Sequence, residues 1–193
     1  MGLLDLRIEK STRKIQIIHK LLLHPVHSSL LISIIDNLQL SAGIPTPVLS
    51  STNQPMSRIS SIWMLKLINF MQTYQIRIII PNLLSFTIQR INDKNITDKI
   101  IQTRLKEKQL RKINSCRIFL NIIHLSDICH LNSVDIYHQF LSGEKRKLPQ
   151  STRTWHIQPK TSLSSWQLLN KTIRTKFGIQ DNNKLLPHLT MGK

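Results

Sequence analysis

Between residues 11 and 24 the apolar positions Ile15, Ile18 and Leu22 recur three and four apart, while Lys10, Arg13, Lys14 and Lys20 lie mostly off that stripe. This spacing predicts an amphipathic helix with Ser11 or Thr12 as its N-cap. Pro25 ends it, and a second helix follows in which Leu30, Ile34 and Leu38, with Leu31 and Ile35 beside them, are expected to face inward until Gly43 closes the hairpin. Residues 44–60 hold three prolines and no periodicity and read as a long loop. A third helix over 60–75 sets Trp63, Leu67, Phe70 and Tyr74 on one side. The run 76–81 suits a short strand or an extended crossover equally well.

Beyond it, Ile88, Ile91, Ile96 and Ile100 give a weaker helical face, broken near Asn95 with Thr97 as a new cap. Residues 106–124 form the most basic helix, with Leu110, Ile113, Arg117, Leu120 and Ile123 or His124 along one seam and its last two turns apolar nearly all round, hence buried. A turn at 125–133 and a small element at 133–143 lead to a basic, proline-containing linker at 143–160. The last helix, 162–178, turns Leu163, Trp166, Leu169 and Ile173 inward and is capped by Gly178. The expected fold is mainly α, an irregular helical bundle with long loops and at most one or two short strands. The expected division is a helical core over 1–142, the basic linker 143–160, and a C-terminal helix with its tail over 161–193.

Charge changes the picture. The 193 residues carry 27 Lys and Arg against 10 Asp and Glu, a formal +17. Such an excess favours a polyanionic partner, an RNA or DNA backbone above all, held without sequence preference. Residues 97–193 hold 17 basic and 6 acidic groups, a net +11, against 10 and 4, a net +6, in residues 1–96. The densest cations are Arg104, Lys106, Lys108, Arg111 and Lys112 on one element, and Lys145, Arg146, Lys147 and Arg153 with Trp155 on the other. Basic side chains interleaved with an aromatic hold a backbone and stack a base.

Other chemistry is weak. Cys116, His124, Cys129 and His130 are spaced seven, four and zero residues apart, unlike the paired ligands of zinc sites, so packing is expected of them and no metal. The ten acids are isolated along the chain, which argues against a two-metal phosphoryl-transfer centre. Asp127, after Ser126, reads as a cap or turn former. Neither a nucleophile elbow nor a glycine-rich phosphate loop is present, and no cofactor or small-molecule ligand is expected. The longest apolar runs fall short of the roughly 20 residues of a spanning helix. Two cysteines and the lack of a leader pattern lead to the expectation of an intracellular protein, nuclear or cytoplasmic.

Five stretches carry a resemblance: 2–25, 36–49, 88–101, 113–129 and 155–174. Their most specific pieces are LQLSAG, the Asn-x-Cys-Arg helix running into LSDIC, and Trp-x-x-Gln-Pro before a Trp-containing helix. They resemble, in order, the region downstream of the polymerase core in the reverse-transcriptase open reading frames of non-LTR (LINE-like) retrotransposons. The resemblance implies a thumb- or connection-like tail that tracks template and primer, beginning after the catalytic palm. An upstream polymerase domain is then the further expected partner. The Asp-Asp pair of that palm is absent from these residues, so a non-catalytic fragment is expected. The competing expectation is a structural or interaction module, or a decayed remnant, whose Ile and Leu faces need an absent upstream partner.

Overall fold

The computed structural model describes residues 5–50, 58–80, 90–130, 135–143 and 161–179. Within them the chain is mainly helical: α1 Leu6–Leu23, α2 Pro25–Ala42, α3 Ile62–Thr73, α4 Ile96–Ile101, α5 Glu107–Leu120, a 3-10 turn Leu125–Ile128, α6 His138–Ser142 and α7 Leu163–Phe177. Extended pairing among the described residues is limited to two isolated bridges, Asn95 with His124 and Cys129 with Ile136. Two compact units divide at residue 86.

The first unit is built from α1, α2 and α3. Asp5, not Ser11 or Thr12, caps α1, its carboxylate accepting from the Arg7 N–H at 2.9 Å, so the helix starts one and a half turns before the expected cap. Pro25 occupies the first turn of α2, where its missing N–H is no loss, and His24 Nδ1 accepts from the Val26 and His27 N–H groups. Gly43 ends α2 at φ 66°. The chain turns by 120° between α1 and α2, and among the described residues no single helix is long and apolar enough to cross a membrane.

The core of this unit joins Ile18 of α1 to Ile35 and Ala42 of α2 and to Leu67, Ile68 and Met71 of α3, closed by Ile44, Val48 and Leu49 of the following loop. The inward stripe of α2 differs from the expected one. Ile35 is buried, with Leu31 and Leu38 packed beside it, whereas Leu30 and Ile34 remain 59% and 56% exposed. α2 is apolar almost all round, and such a helix does not fix its own rotational phase; packing against α1 does. Residues 76–80 are an extended crossover, tied by the Ile78 N–H to the Leu49 carbonyl at 2.9 Å.

The second unit gathers α4 to α7 around Ile96, Ile113, Cys116, Leu120, Ile122, Leu125, Ile128, Phe140, Trp166, Leu169, Ile173 and Phe177. This corrects the expected division: α7 is not a separate C-terminal element but packs on α5, α6 and α4. Trp166, Leu169 and Ile173 are a stripe that only α5 and its neighbours cover. Leu163, expected inward, is 69% exposed in the first turn, before that stripe reaches the core. Asn95 caps α4 through its side chain, in place of Thr97.

α6 ends on Gly143 at φ 76°, where a Cβ would meet the Trp166 ring at 2.5 Å. Gly143→Ala therefore combines a left-handed backbone with an overlap against a large buried ring. The substitution is expected to lower unfolding stability by about 3 kcal/mol, read as a fall in the urea midpoint without a change of slope.

Candidate nucleic-acid interface

The stretch 113–130 forms the centre of the second unit. Asn121, in the left-handed region at φ 57°, breaks α5 and swings the chain back on itself. Arg117, 1% exposed, follows it: its guanidinium donates to the Ile122 carbonyl at 2.8 Å and to Asn114 Oδ1 at 2.8 and 3.0 Å. The seam position expected for Arg117 is thus inward, and its guanidinium ties the chain just beyond the helix back to Asn114.

Two carboxylates fasten the turn. Asp127 Oδ2 accepts the Ile123 and His124 N–H groups, each at 2.8 Å, the capping role expected for it. Asp93 accepts from the Lys94 and Ser126 N–H groups and from the Ser126 hydroxyl. Burial pushes the Asp127 carboxyl up, an effect opposed by its two backbone donors and by the nearby His124.

Cys116 and Cys129 are reduced and buried, with the Cys129 thiol against the Leu125 carbonyl at 3.1 Å. Desolvation pushes both thiols up to about 12. His124 is buried and His130, partly exposed, lies on the Tyr137 ring at 3.5 Å between centroids. These four residues pack the core and its margin. Among the described residues no three His, Cys, Asp or Glu side chains gather as a metal-binding group.

Of the predicted nucleic-acid contacts, Arg104, Lys106 and Lys108 are exposed, as is Arg111, and Lys112 is partly so. The fold brings these five together where the α4–α5 connection enters α5. Arg104 and Lys106 sit on the connection, and Lys108, Arg111 and Lys112 follow three and four residues apart on one flank. Arg111 forms an exposed ion pair with Glu107 one turn earlier. Lys145, Arg146, Lys147, Arg153 and Trp155 lie outside the described residues.

The first unit holds a basic feature that sequence reasoning missed. A groove of about 960 Å³ runs between α1 and α3, with Arg7, Lys10 and Lys14 on one wall and Trp63, Lys66, Phe70 and Tyr74 on the other. The expected inward face of α3 divides: Leu67 is fully buried, whereas Trp63 and Tyr74 are 40% and 50% exposed. Lys14 Nζ donates to the Trp63 carbonyl at 3.1 Å and lies 5.1 Å from the centre of its ring. Partial burial, and then the like charge of Lys66, lower the Lys14 pKa. The signal in the sequence was Lys66 itself, three residues after Trp63 and four before Phe70. A stripe carrying a lysine there is a rim, not a core face.

Compared with protein-family models, curated proteins and solved structures, the chain shows no match.

Two outcomes follow from the core. Asp127→Ala strands two backbone donors and is expected to cost about 2 kcal/mol, while Asp127→Asn, which keeps an acceptor oxygen and sheds a buried charge, costs less; paired urea titrations measure the difference. The thiols give a pH effect. An unfolded cysteine ionises near its ordinary value of 9.0, the folded ones only near 12. Between these values the unfolded chain releases protons that the folded chain keeps, so this contribution to stability is intact below pH 9 and declines as pH rises towards 12. The alkaline loss is expected to be shallower in the double variant Cys116→Ala/Cys129→Ala, followed by urea midpoints at stepped pH.

Proposed function

We propose that this chain is a non-catalytic helical segment that binds nucleic acid through its backbone and without sequence preference. We place its origin in the tail of a retroelement reverse transcriptase, as the resemblance of its motifs implies. The observation that carries the binding reading is the disposition of charge around α5. Arg104, Lys106 and Lys108 project into solvent, and three described acids of the same unit are engaged elsewhere: Asp93 and Asp127 with backbone donors, Glu107 with Arg111. A cationic edge left unneutralised attracts phosphates and releases their counterions.

The non-catalytic part rests on the same acids. Two-metal phosphoryl transfer needs carboxylates converging on a shared ion; Asp93 and Asp127 lie near each other, but both accept backbone N–H groups, Asp93 also the Ser126 hydroxyl, and among the described residues no third ligand joins them.

A second reading, an interaction module, is favoured by one observation. Val26, Leu30 and Ile34 form an apolar stripe along α2, each more than half exposed. An upstream polymerase domain is the partner that the resemblance would supply for it.

Affinity for a short oligonucleotide, titrated against salt, tests the binding reading. It is expected to fall steeply between about 50 and about 300 mM, with a slope of roughly 0.7 per phosphate contact on a single strand. Arg104→Gln/Lys106→Gln/Lys108→Gln should reduce that slope, and Glu107→Gln, which releases Arg111, should strengthen binding. A flat response would remove the nucleic-acid reading and leave the interaction module; no effect of Glu107→Gln together with none of the triple variant would remove the α5 contacts from it.

A further inference from the structure

We propose that the groove between α1 and α3 is a binding site for single-stranded nucleic acid, in which Lys10, Lys14 and Lys66 hold phosphates while Trp63 and Tyr74 stack unpaired bases. The inference rests on the nucleic-acid reading above and adds to it a second site, a strand class and a mode of contact.

Three observations converge on the groove. Its charge is one-sided: Arg7, Lys10, Lys14 and Lys66 stand against Asp5 alone, and the Asp5 carboxylate is occupied in capping α1. The one other acid nearby on α1, Glu9, is paired with Arg13. Among the described residues no carboxylate pairs with Lys10, Lys14 or Lys66. Partial burial and, after it, the like charge of Lys66 lower the affinity of Lys14 for its proton, and an anion between the helices relieves that repulsion.

The second observation is the exposure of large aromatic surface. Leu67, Ile68 and Met71 fill the core side of α3, leaving Trp63 and Tyr74 to line a cleft open to solvent. Trp63 is oriented by Lys14, which bonds its carbonyl and lies over its ring, so the indole is held ready for a partner on its open side. Tyr74 leans on Phe70, ring centres 4.7 Å apart. A flat π-face beside a cation matches a base beside its phosphate.

The third is length. From Trp63 to Tyr74 the wall of α3 rises eleven residues, roughly 16 Å at 1.5 Å per residue. Stacked nucleotides advance about 3.4 Å each, so the wall spans on the order of five of them. A duplex keeps its bases stacked inside and offers these aromatics nothing; a single strand offers every base face.

Fluorescence anisotropy of the full chain tests the site. The probes are labelled oligo-dT, oligo-rU, an abasic DNA of equal length, and a duplex. Trp63→Ala and Tyr74→Ala are each expected to weaken oligo-dT or oligo-rU binding about tenfold while leaving the abasic strand unchanged, and Trp63→Phe to restore most of the loss. Lys10→Gln/Lys66→Gln should weaken dT, rU and abasic strands alike. Which of dT and rU binds tighter identifies the natural strand. Far-ultraviolet dichroism of each variant checks that the helices persist, and a loss accompanied by unfolding is replaced by the milder Trp63→Leu or Tyr74→Leu, which keep apolar bulk and remove the stacking ring. If the aromatic variants leave dT and rU affinity intact, or weaken the abasic strand equally, or if the duplex binds best, the groove proposal is overturned while the α5 reading stands. If the unaltered chain binds none of the four probes at low salt, both fall together.

Discussion

Everything in this molecule is shaped by a shortage of carboxylates. Ten acids face 27 basic side chains, and the eight within the described residues are committed to tasks of architecture. Asp5 caps α1, Asp98 sits in the first turn of α4, Asp127 and Asp93 hold the backbone around the 3-10 turn, and Glu9 and Glu107 each neutralise one arginine on their own helix. Asp36 is buried in α2 with hydrogen bonds or charge contacts of its own, and Asp135 is likewise engaged. Among the described residues Lys10, Lys66, Arg104, Lys106 and Lys108 are left facing solvent and whatever anion the protein meets.

Among the described residues the core is built mainly of Ile and Leu, with Phe140, Trp166, Phe177, two methionines and both cysteines among them. The charged side chains buried among these described residues are Asp36 and Arg117. Arg117 is tolerated because its guanidinium replaces lost hydration with a carbonyl at the broken end of α5 and the Asn114 amide oxygen, neutral acceptors in both cases. The same region holds both thiols in their neutral form, so the interior around the 3-10 turn stays apolar apart from groups whose hydrogen bonds fix the path of the chain.

The helices were legible because apolar residues recur at helical spacing and because Pro25, Gly43 and Gly178 mark ends by backbone chemistry that does not depend on tertiary context. The start of α1 was missed, since Asp5 is as good a cap as Ser11 and the residues between them are helix-compatible. Rotational phase was less legible. α2 and the first turn of α7 carry apolar residues on more than one side, and which side is buried was decided by neighbours distant in sequence. The independence of α7 failed for a related reason: a charged linker in the sequence says nothing about where the helix after it docks. The α5 cluster was visible as a run of adjacent charges, whereas the groove assembles from two helices some fifty residues apart and was invisible to any window along the chain.

The two basic features differ in what they ask of a ligand. Around α5 the cations stand on an exposed helix end with an acid among them, a geometry that recognises charge and little else. In the groove one cation, Lys14, is held by a backbone carbonyl and lies over a ring face, so charge is offered beside an aromatic surface at a set position. Self-repulsion within a chain of +17 weakens the folded state, and an anionic ligand that binds only the folded form restores stability by mass action. Binding and folding are then coupled through the same unpaired lysines: a carboxylate introduced beside Lys66 would strengthen the fold by weakening the site. Among the described residues of the groove no such compensation is present, which is the feature the proposed recognition surface requires.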